Sequence, residues 1–288
     1  MSEKWPTFLV IGVAKAGTTS LWSYLGQHPD VFMSPINETN YFAYDGEGTR
    51  TFSGHRAHNQ FPITTRSEYL ELFKQAGRAS AIGEVSPLYL ESPLAADRIR
   101  RELPHVRLIA VLRDPVDRAA SDYQMWRRKG RGVPDLTEAF REDQHIVQVG
   151  FYYDKLKRYS ERFPRNQLRI ELFDDLRRDT LGFVQALYGY VGVDPTFEPD
   201  VDVRHNVGGL PKQPWLQSLL VKIQHSRILQ RTAPVWARKM FRLVQTRNID
   251  HDFALPAQLR HRLLGLYRED ILRVGDLIGR DLTHWLDD

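Results

Sequence analysis

Apolar positions in this chain fall into short unbroken runs separated by stretches of helical spacing. Residues 7–13, TFLVIGV, form a β-branched run that ends at Ala-Lys-Ala-Gly, which predicts a strand buried on both faces. From Thr18 to Gln27, Leu21, Tyr24 and Leu25 recur on one helical face, so the chain opens as strand, glycine turn, helix. A helix over 93–103, opened by Pro93 and stopped near Pro104, leads into a second strand, RLIAVLR (107–113). Pro115 then occupies a favoured first-turn position of a further helix. LRIELF (168–173) predicts a third strand and 180–191 a helix after it, while AIGE (81–84) reads as a short extra strand. Leu259, Leu263, Leu266, Ile271 and Leu272 mark a closing amphipathic helix over 256–278, and 43–66 has no periodicity and predicts loop. Strands alternating with helices predict an α/β fold with a parallel β-sheet flanked by helices and a helical C-terminal elaboration.

The first turn carries candidate chemistry. Gly12-Val13-Ala14-Lys15-Ala16-Gly17-Thr18-Thr19 has the frame of a phosphate-binding loop, with two glycines five residues apart. Thr18 stands where the usual pattern has lysine, and a lysine stands at 15 instead. Turn N–H groups and a helix N-terminus still favour an anion there, which makes the expected sheet P-loop NTPase-like while putting ordinary ATP geometry in question. A second motif, Arg113-Asp114-Pro115 continuing to Ser121-Asp122-Tyr123, follows the second strand. Arg113 leaves that strand at its carboxyl end, the ligand edge of a parallel sheet, and Ser121 lies about two turns into the next helix. An arginine fork with a hydroxyl suits a separate phosphate. The alternative is that Arg113 caps a helix or pairs with Asp114.

Composition narrows the classes. There are no cysteines among the 288 residues, which excludes disulfides, thiolate metal sites and a cysteine nucleophile. No apolar run is long enough to span a bilayer, the N-terminus does not read as a signal peptide, and the expected location is cytoplasmic. The net charge of +4 is local: nine lysines and arginines and no carboxylate lie between Val203 and Ile249, and the rest of the chain holds 31 basic against 36 acidic residues. Leu216, Leu219, Leu220 and Ile223, then Trp236, Met240, Leu243 and Val244, predict two amphipathic helices within a basic segment, 204–250, broken near Pro234. The charge over 204–247 suits an anionic polymer or a membrane surface, or is simply a solvated face; nucleic-acid readout is not expected. No linker or repeat divides the chain, so a single domain over 1–288 is expected.

Together these residues resemble the sulfotransferase family that uses 3′-phosphoadenosine 5′-phosphosulfate (PAPS), in its carbohydrate and heparan-sulfate branch with bacterial relatives. FLVIGVAKAGTTSLWSYLGQHPDV (8–31) is similar to the family's 5′-phosphosulfate segment and RLIAVLRDPVDRAASDY (107–123) to its 3′-phosphate segment. GEVSPLYL (83–90) matches an E-x-[ST]-P-x-Y element and GFYYDKLKRY (150–159) a G-x-Y-x-x-x-L element.

The resemblance implies PAPS as sulfuryl donor, 3′-phosphoadenosine 5′-phosphate (PAP) as product and no metal. It implies that Lys15 offsets charge on the leaving group, that Ala16, Gly17, Thr18, Thr19 and Ser20 hold the 5′-phosphate, and that Arg113 and Ser121 hold the 3′-phosphate. Gly208 and Lys212 would belong to a loop closing over the nucleotide. Glu38, in MSPINETNYF (33–42), matches the glutamate that serves as general base, although Asn37 replaces the lysine many relatives carry before it. Glu84 is the rival acid on the acceptor side; its other reading is a hydrogen bond that fixes the Ser86-Pro87 turn. Tyr152 either faces the acceptor or nucleotide or packs in the core, and His28 in the QHPD turn reads as structural. The acceptor is a hydroxyl or amine, with a carbohydrate favoured. Two other classes remain as alternatives: a P-loop ATPase or kinase, and a non-enzymatic binder of anions or membranes.

Overall fold

The structure, a computed structural model, describes residues 3–44, 61–128, 134–202, 210–211, 249–250 and 253–287. Contacts divide the chain into two compact units. The first contains residues 1–114, 151–206 and 268–287; the second contains 115–150 and 207–267.

The first unit holds a five-stranded, all-parallel sheet. Its strands are β1 Phe8–Gly12, β2 Val31–Met33, β3 Ala81–Val85, β4 Arg107–Leu112 and β5 Leu168–Leu172, in the order β2-β3-β1-β4-β5. β1, β3 and β4 are the interior strands and bury nearly every residue, as their unbroken apolar runs require. Phe8 sets one close fit. It pairs with Gly83, and a Cβ on Gly83 would lie 2.1 Å from the Phe8 ring, so the ring occupies the space a side chain would need.

Helices in chain order are α1 Thr18–Leu25, α2 Arg66–Glu71, α3 Leu88–Glu91, α4 Ala95–Glu102, α5 Pro115–Arg128, α6 Leu136–Ala139, α7 His145–Gln148, α8 Tyr153–Ser160, α9 Phe173–Arg178, α10 Thr180–Val191 and α11 Ala257–Ile278. α1 buries Leu21, Tyr24 and Leu25, the face its spacing predicts. Tyr188 of α10 donates its hydroxyl to the Tyr24 carbonyl at 2.7 Å and so ties two helices of this unit together. α10 begins where Asp179 accepts the Gly182 N–H at 2.9 Å and stops at Gly192, whose φ of 91° suits a residue without a side chain.

The expected α/β fold with a parallel sheet is observed. β2 was not expected, because three residues carry no periodicity; it exists because Val31, Phe32 and Met33 pair with Ala81, Ile82 and Gly83 of β3. α9 lies between the expected strand over 168–173 and the expected helix over 180–191, in a stretch for which the sequence predicts no element, apart from Phe173. The region 43–66 was expected to be loop, and its described part contains the end of a short turn of helix at Tyr41–Ala43 and the first residue of α2, whose Thr65 and Glu68 form a capping box.

In the second unit, α5 buries Arg118, which bonds Asp122 at 3.2 Å and the Ile146 carbonyl. Tyr123 packs on Phe140 and Phe253, and the Tyr267 hydroxyl donates to the Val147 carbonyl at 2.8 Å. A short antiparallel pair joins Leu210–Pro211 to Ile249–Asp250. The rest of the basic segment, with its two expected helices, and the residues Gly208 and Lys212 lie outside the described residues. Among the described residues, no helix is long and apolar enough to cross a membrane.

Candidate functional site

The strand order reverses around β1: the chain moves from β1 to β2 and β3 on one side, then to β4 and β5 on the other. In open α/β sheets ligands sit beyond the carboxyl ends of the strands at such a reversal. Here those ends are Gly12 of β1 and Leu112 of β4, and the residues that follow them are the glycine loop and Arg113.

The loop is short and held at both sides. The Val13 N–H donates to the Val111 carbonyl at 2.9 Å, and the Ala16 N–H returns to the Val13 carbonyl at 3.3 Å. Lys15 takes a left-handed backbone, φ 74°, and so does Gly17, φ 82°, the residue before α1. A Cβ on Gly17 would lie 2.8 Å from Leu176 and 3.1 Å from Phe173, so both conformation and packing require glycine. No side chain caps α1 at Gly17. The first-turn N–H groups of a helix lack intrahelical acceptors, and the helix dipole makes this end attractive to an anion. Thr18 is buried, while Thr19 and Ser20 are half-buried on the same turn.

Arg113 is half-buried and faces this loop. Its Nη1 donates to the Lys15 carbonyl at 3.0 Å, and its guanidinium lies 4.9 Å from the centre of the Phe173 ring. Phe173 therefore packs under both Arg113 and Gly17. The Arg113 carbonyl is in turn fixed by the Tyr152 hydroxyl at 2.8 Å. Tyr152 is buried, and its N–H and that of Tyr153 donate to the Asp270 carboxylate at 2.7 and 3.1 Å. Burial raises the Asp270 pKa, and the two N–H bonds partly offset that rise. A chain of contacts thus runs from Asp270 through Tyr152 and Arg113 to Lys15, all within the first unit.

On the other side of β1, the segment after β2 runs along β3. The Ser34 N–H donates to the Gly83 carbonyl at 2.8 Å and the Glu38 N–H to the Val85 carbonyl at 2.9 Å. Glu38 is exposed at the carboxyl end of β3, with φ 66°. Among the described residues, Lys15, Glu38 and Asn40 are the non-glycine residues with positive φ. Such backbones cost energy and cluster where a fold positions functional groups.

Glu84 is wholly buried in β3. Thr39 and Tyr89 each donate a hydroxyl to its carboxylate at 2.5 Å, and the Tyr69 hydroxyl faces it without reaching hydrogen-bond geometry. Burial pushes its pKa up to about 7, against the lowering effect of these hydroxyls.

The structure therefore gathers Lys15, Ala16, Gly17, Thr18, Thr19, Ser20, Glu38, Glu84, Arg113 and Tyr152 in the first unit, while Ser121 lies on α5 in the second. His28 is buried in its turn and accepts the Asp30 N–H at 3.0 Å. Sequence reasoning missed Thr39, Phe173 and Asp270. Thr39 sits next to Glu38, but Asp270 carries no local signal, since its partners lie more than a hundred residues away. Among the described residues there is no group of three potential metal-ligating side chains.

Residues 6–199 match the family described as "Sulfotransferase family". The chain is 28% identical over 235 residues to mouse bifunctional heparan sulfate N-deacetylase/N-sulfotransferase 1, covering 75% of this chain and 25% of that protein. It is 32% identical over 169 residues to the membrane-associated sulfotransferase kil1 of Dictyostelium discoideum, covering 56% of this chain and 32% of that one. The chain thus spans a third or less of these curated relatives. A crystal structure of a sulfotransferase from Alicyclobacillus acidocaldarius matches with a TM-score of 0.75 at 26% identity, over 99% of this chain and 100% of that one.

Proposed function

The chain belongs to the sulfotransferase family, and from that premise we propose that it is a PAPS-dependent enzyme that sulfates a hydroxyl or amine of a carbohydrate-like acceptor with Glu38 as general base. The acceptor class is supported by relatives whose names place their activity on heparan sulfate. The base is supported by Glu38 standing exposed beyond the strand next to β1, on a backbone conformation that the fold imposes.

The residues present fit a donor with two anionic ends. The uncapped turn at Gly17, Thr18, Thr19 and Ser20 suits the 5′-phosphate, with Ala16 in the loop beside it. Arg113 suits the 3′-phosphate, and Ser121, Gly208 and Lys212 keep in this proposal the donor-binding roles that the resemblance implies. The donor supplies the sulfuryl group. The acceptor oxygen or nitrogen bonds to sulfur as the bond from sulfur to the 5′-phosphate oxygen breaks. Glu38 takes the acceptor's proton, and Lys15 offsets the charge that collects on the leaving phosphate. Transfer needs no metal in this scheme, and a cytoplasmic location belongs to the same proposal. The basic stretch 204–247 is proposed to attract an anionic acceptor or a membrane surface.

The observation that supports the reading is the hydrogen bond from Arg113 Nη1 to the Lys15 carbonyl at 3.0 Å, which ties the guanidinium to the backbone of the glycine loop at the reversal of the sheet. Two measurements test it. Calorimetry with PAP in the presence of EDTA is expected to show tight binding; no affinity would sink the donor assignment. Mass spectrometry of N-desulfated heparin and a panel of small sugars, incubated with PAPS, is expected to show a gain of one SO3. Sulfation confined to non-carbohydrate acceptors would overturn the acceptor class.

A further inference from the structure

We propose that Glu84 is a positioning residue, which fixes the backbone on which Glu38 stands, and not a second base; this rests on Glu38 as the proton acceptor. Glu84 has no exposed surface, and each of its two oxygens receives a hydroxyl. An acceptor reaching it would have to displace both Thr39 and Tyr89.

The two hydroxyls lie where the Glu38 segment needs them. Thr39 stands between Glu38 and Asn40, the two left-handed residues of this stretch, with φ of 66° and 54°. L-residues avoid that region, so something outside the segment must hold it there. Thr39 is pinned from below by Glu84. Tyr89, from α3, is pinned by the other carboxylate oxygen, and its oxygen accepts the Phe42 N–H at 3.4 Å. Ser86 accepts the Asn40 N–H at 3.1 Å, and the Val85 carbonyl accepts that of Glu38 at 2.9 Å. Because the carboxylate takes the hydroxyl protons, the oxygen lone pairs of Thr39 and Tyr89 turn toward backbone N–H groups. One buried carboxyl thereby orders the acceptors of two successive amides, those of Tyr41 on the Thr39 oxygen and of Phe42 on the Tyr89 oxygen, both at 3.4 Å. The E-x-[ST]-P-x-Y spacing of residues 84–89 is what puts Glu84, Ser86 and Tyr89 on the same side of this turn.

The test uses the whole purified chain, with hydrogen exchange at the amides of residues 38–42, PAP calorimetry, and transfer from PAPS to N-desulfated heparin. Glu84→Gln and Thr39→Val are each expected to speed exchange at 38–42 by roughly tenfold or more, since a buried hydrogen bond is lost. PAP affinity should stay within about twofold, because that contact lies across β1, and kcat should fall while the KM for PAPS holds. Thr39→Ser keeps the hydroxyl and should restore both protection and kcat, which a general loss of packing would not explain. If Glu84→Gln fails to fold, the Thr39→Val and Thr39→Ser pair reads the same contact. Unchanged exchange in Glu84→Gln, or lost turnover with intact protection, would overturn the proposal. Full turnover in Glu38→Gln would instead overturn the base assignment, a separate failure, because exchange reads the clamp itself.

Discussion

Arg113 donates from Nη1 to the carbonyl of Lys15 at 3.0 Å, so the residue that follows β4 also holds the loop that follows β1. One guanidinium therefore supplies charge and shapes the second cationic residue's backbone. Arg113→Ala is expected to weaken PAP binding by roughly 2–5 kcal/mol, the range for losing one partner of a desolvated charged pair. Arg113→Lys should recover little, because a point charge cannot donate to Lys15 and stack on Phe173 at once. Calorimetry of the three proteins decides it, and near-native affinity in Arg113→Lys would contradict the assignment.

Lys15 and Glu38 should separate kinetically. Lys15→Ala is expected to lower the chemical step by about a hundredfold to a thousandfold, as when a donor to developing charge is removed. Glu38→Gln should lower the rate by a comparable order while leaving PAP affinity nearly intact, because its backbone is anchored to β3 and not to the glycine loop. Single-turnover kinetics beside calorimetry distinguishes the two roles.

Asp270 should matter to donor binding without touching the donor. Its carboxylate receives the N–H groups of Tyr152 and Tyr153, and Tyr152 secures the Arg113 carbonyl. Asp270→Asn turns an NH2 toward one of those N–H groups and is expected to destabilise the fold by about 1–3 kcal/mol. Tyr152→Phe should cost about 1 kcal/mol by the same reasoning and weaken PAP a few-fold. Urea titrations and calorimetry on both variants give the readout; stability loss with unchanged PAP affinity would break the proposed link.

Glu84 gives the stability a pH signature. Its pKa is pushed up to about 7 in the fold, above the ordinary value of 4.5. Between those values the unfolded chain has released a proton that the folded chain still holds. The stabilisation from this group is thus complete below the unfolded value and is lost as pH rises through about 7. At roughly 1.4 kcal/mol per unit, the full change is about 3 kcal/mol. Urea midpoints at about pH 5 and about pH 8 should differ accordingly, and Glu84→Gln should flatten that difference.

Much of the fold around the glycine loop was legible because it is local in sequence. The run TFLVIGV and the glycine spacing after it announce a strand, a turn and a helix start within a few residues, and RLIAVLR announces Arg113 at a strand end. The helix expected over 180–191 is observed as α10 with the same bounds. What stayed hidden depends on distant partners. β2 is too short to signal itself and is defined by β3, the Tyr152 hydroxyl goes to a carbonyl set by β4, and Asp270 acts on α8 from a helix beyond residue 257. Glu84 was recognised as a candidate acid, but its burial and its grip on Thr39 follow from the packing of β3 against the turn after β2, which no local pattern encodes.

The reach of Asp270 bears on biosynthesis. A nascent polypeptide that has emerged through residue 200 already contains the glycine loop, Arg113 and Tyr152, yet it lacks the carboxylate that seats Tyr152. The contacts that brace the Arg113 carbonyl are therefore completed only once translation has passed residue 270, late in the synthesis of the chain.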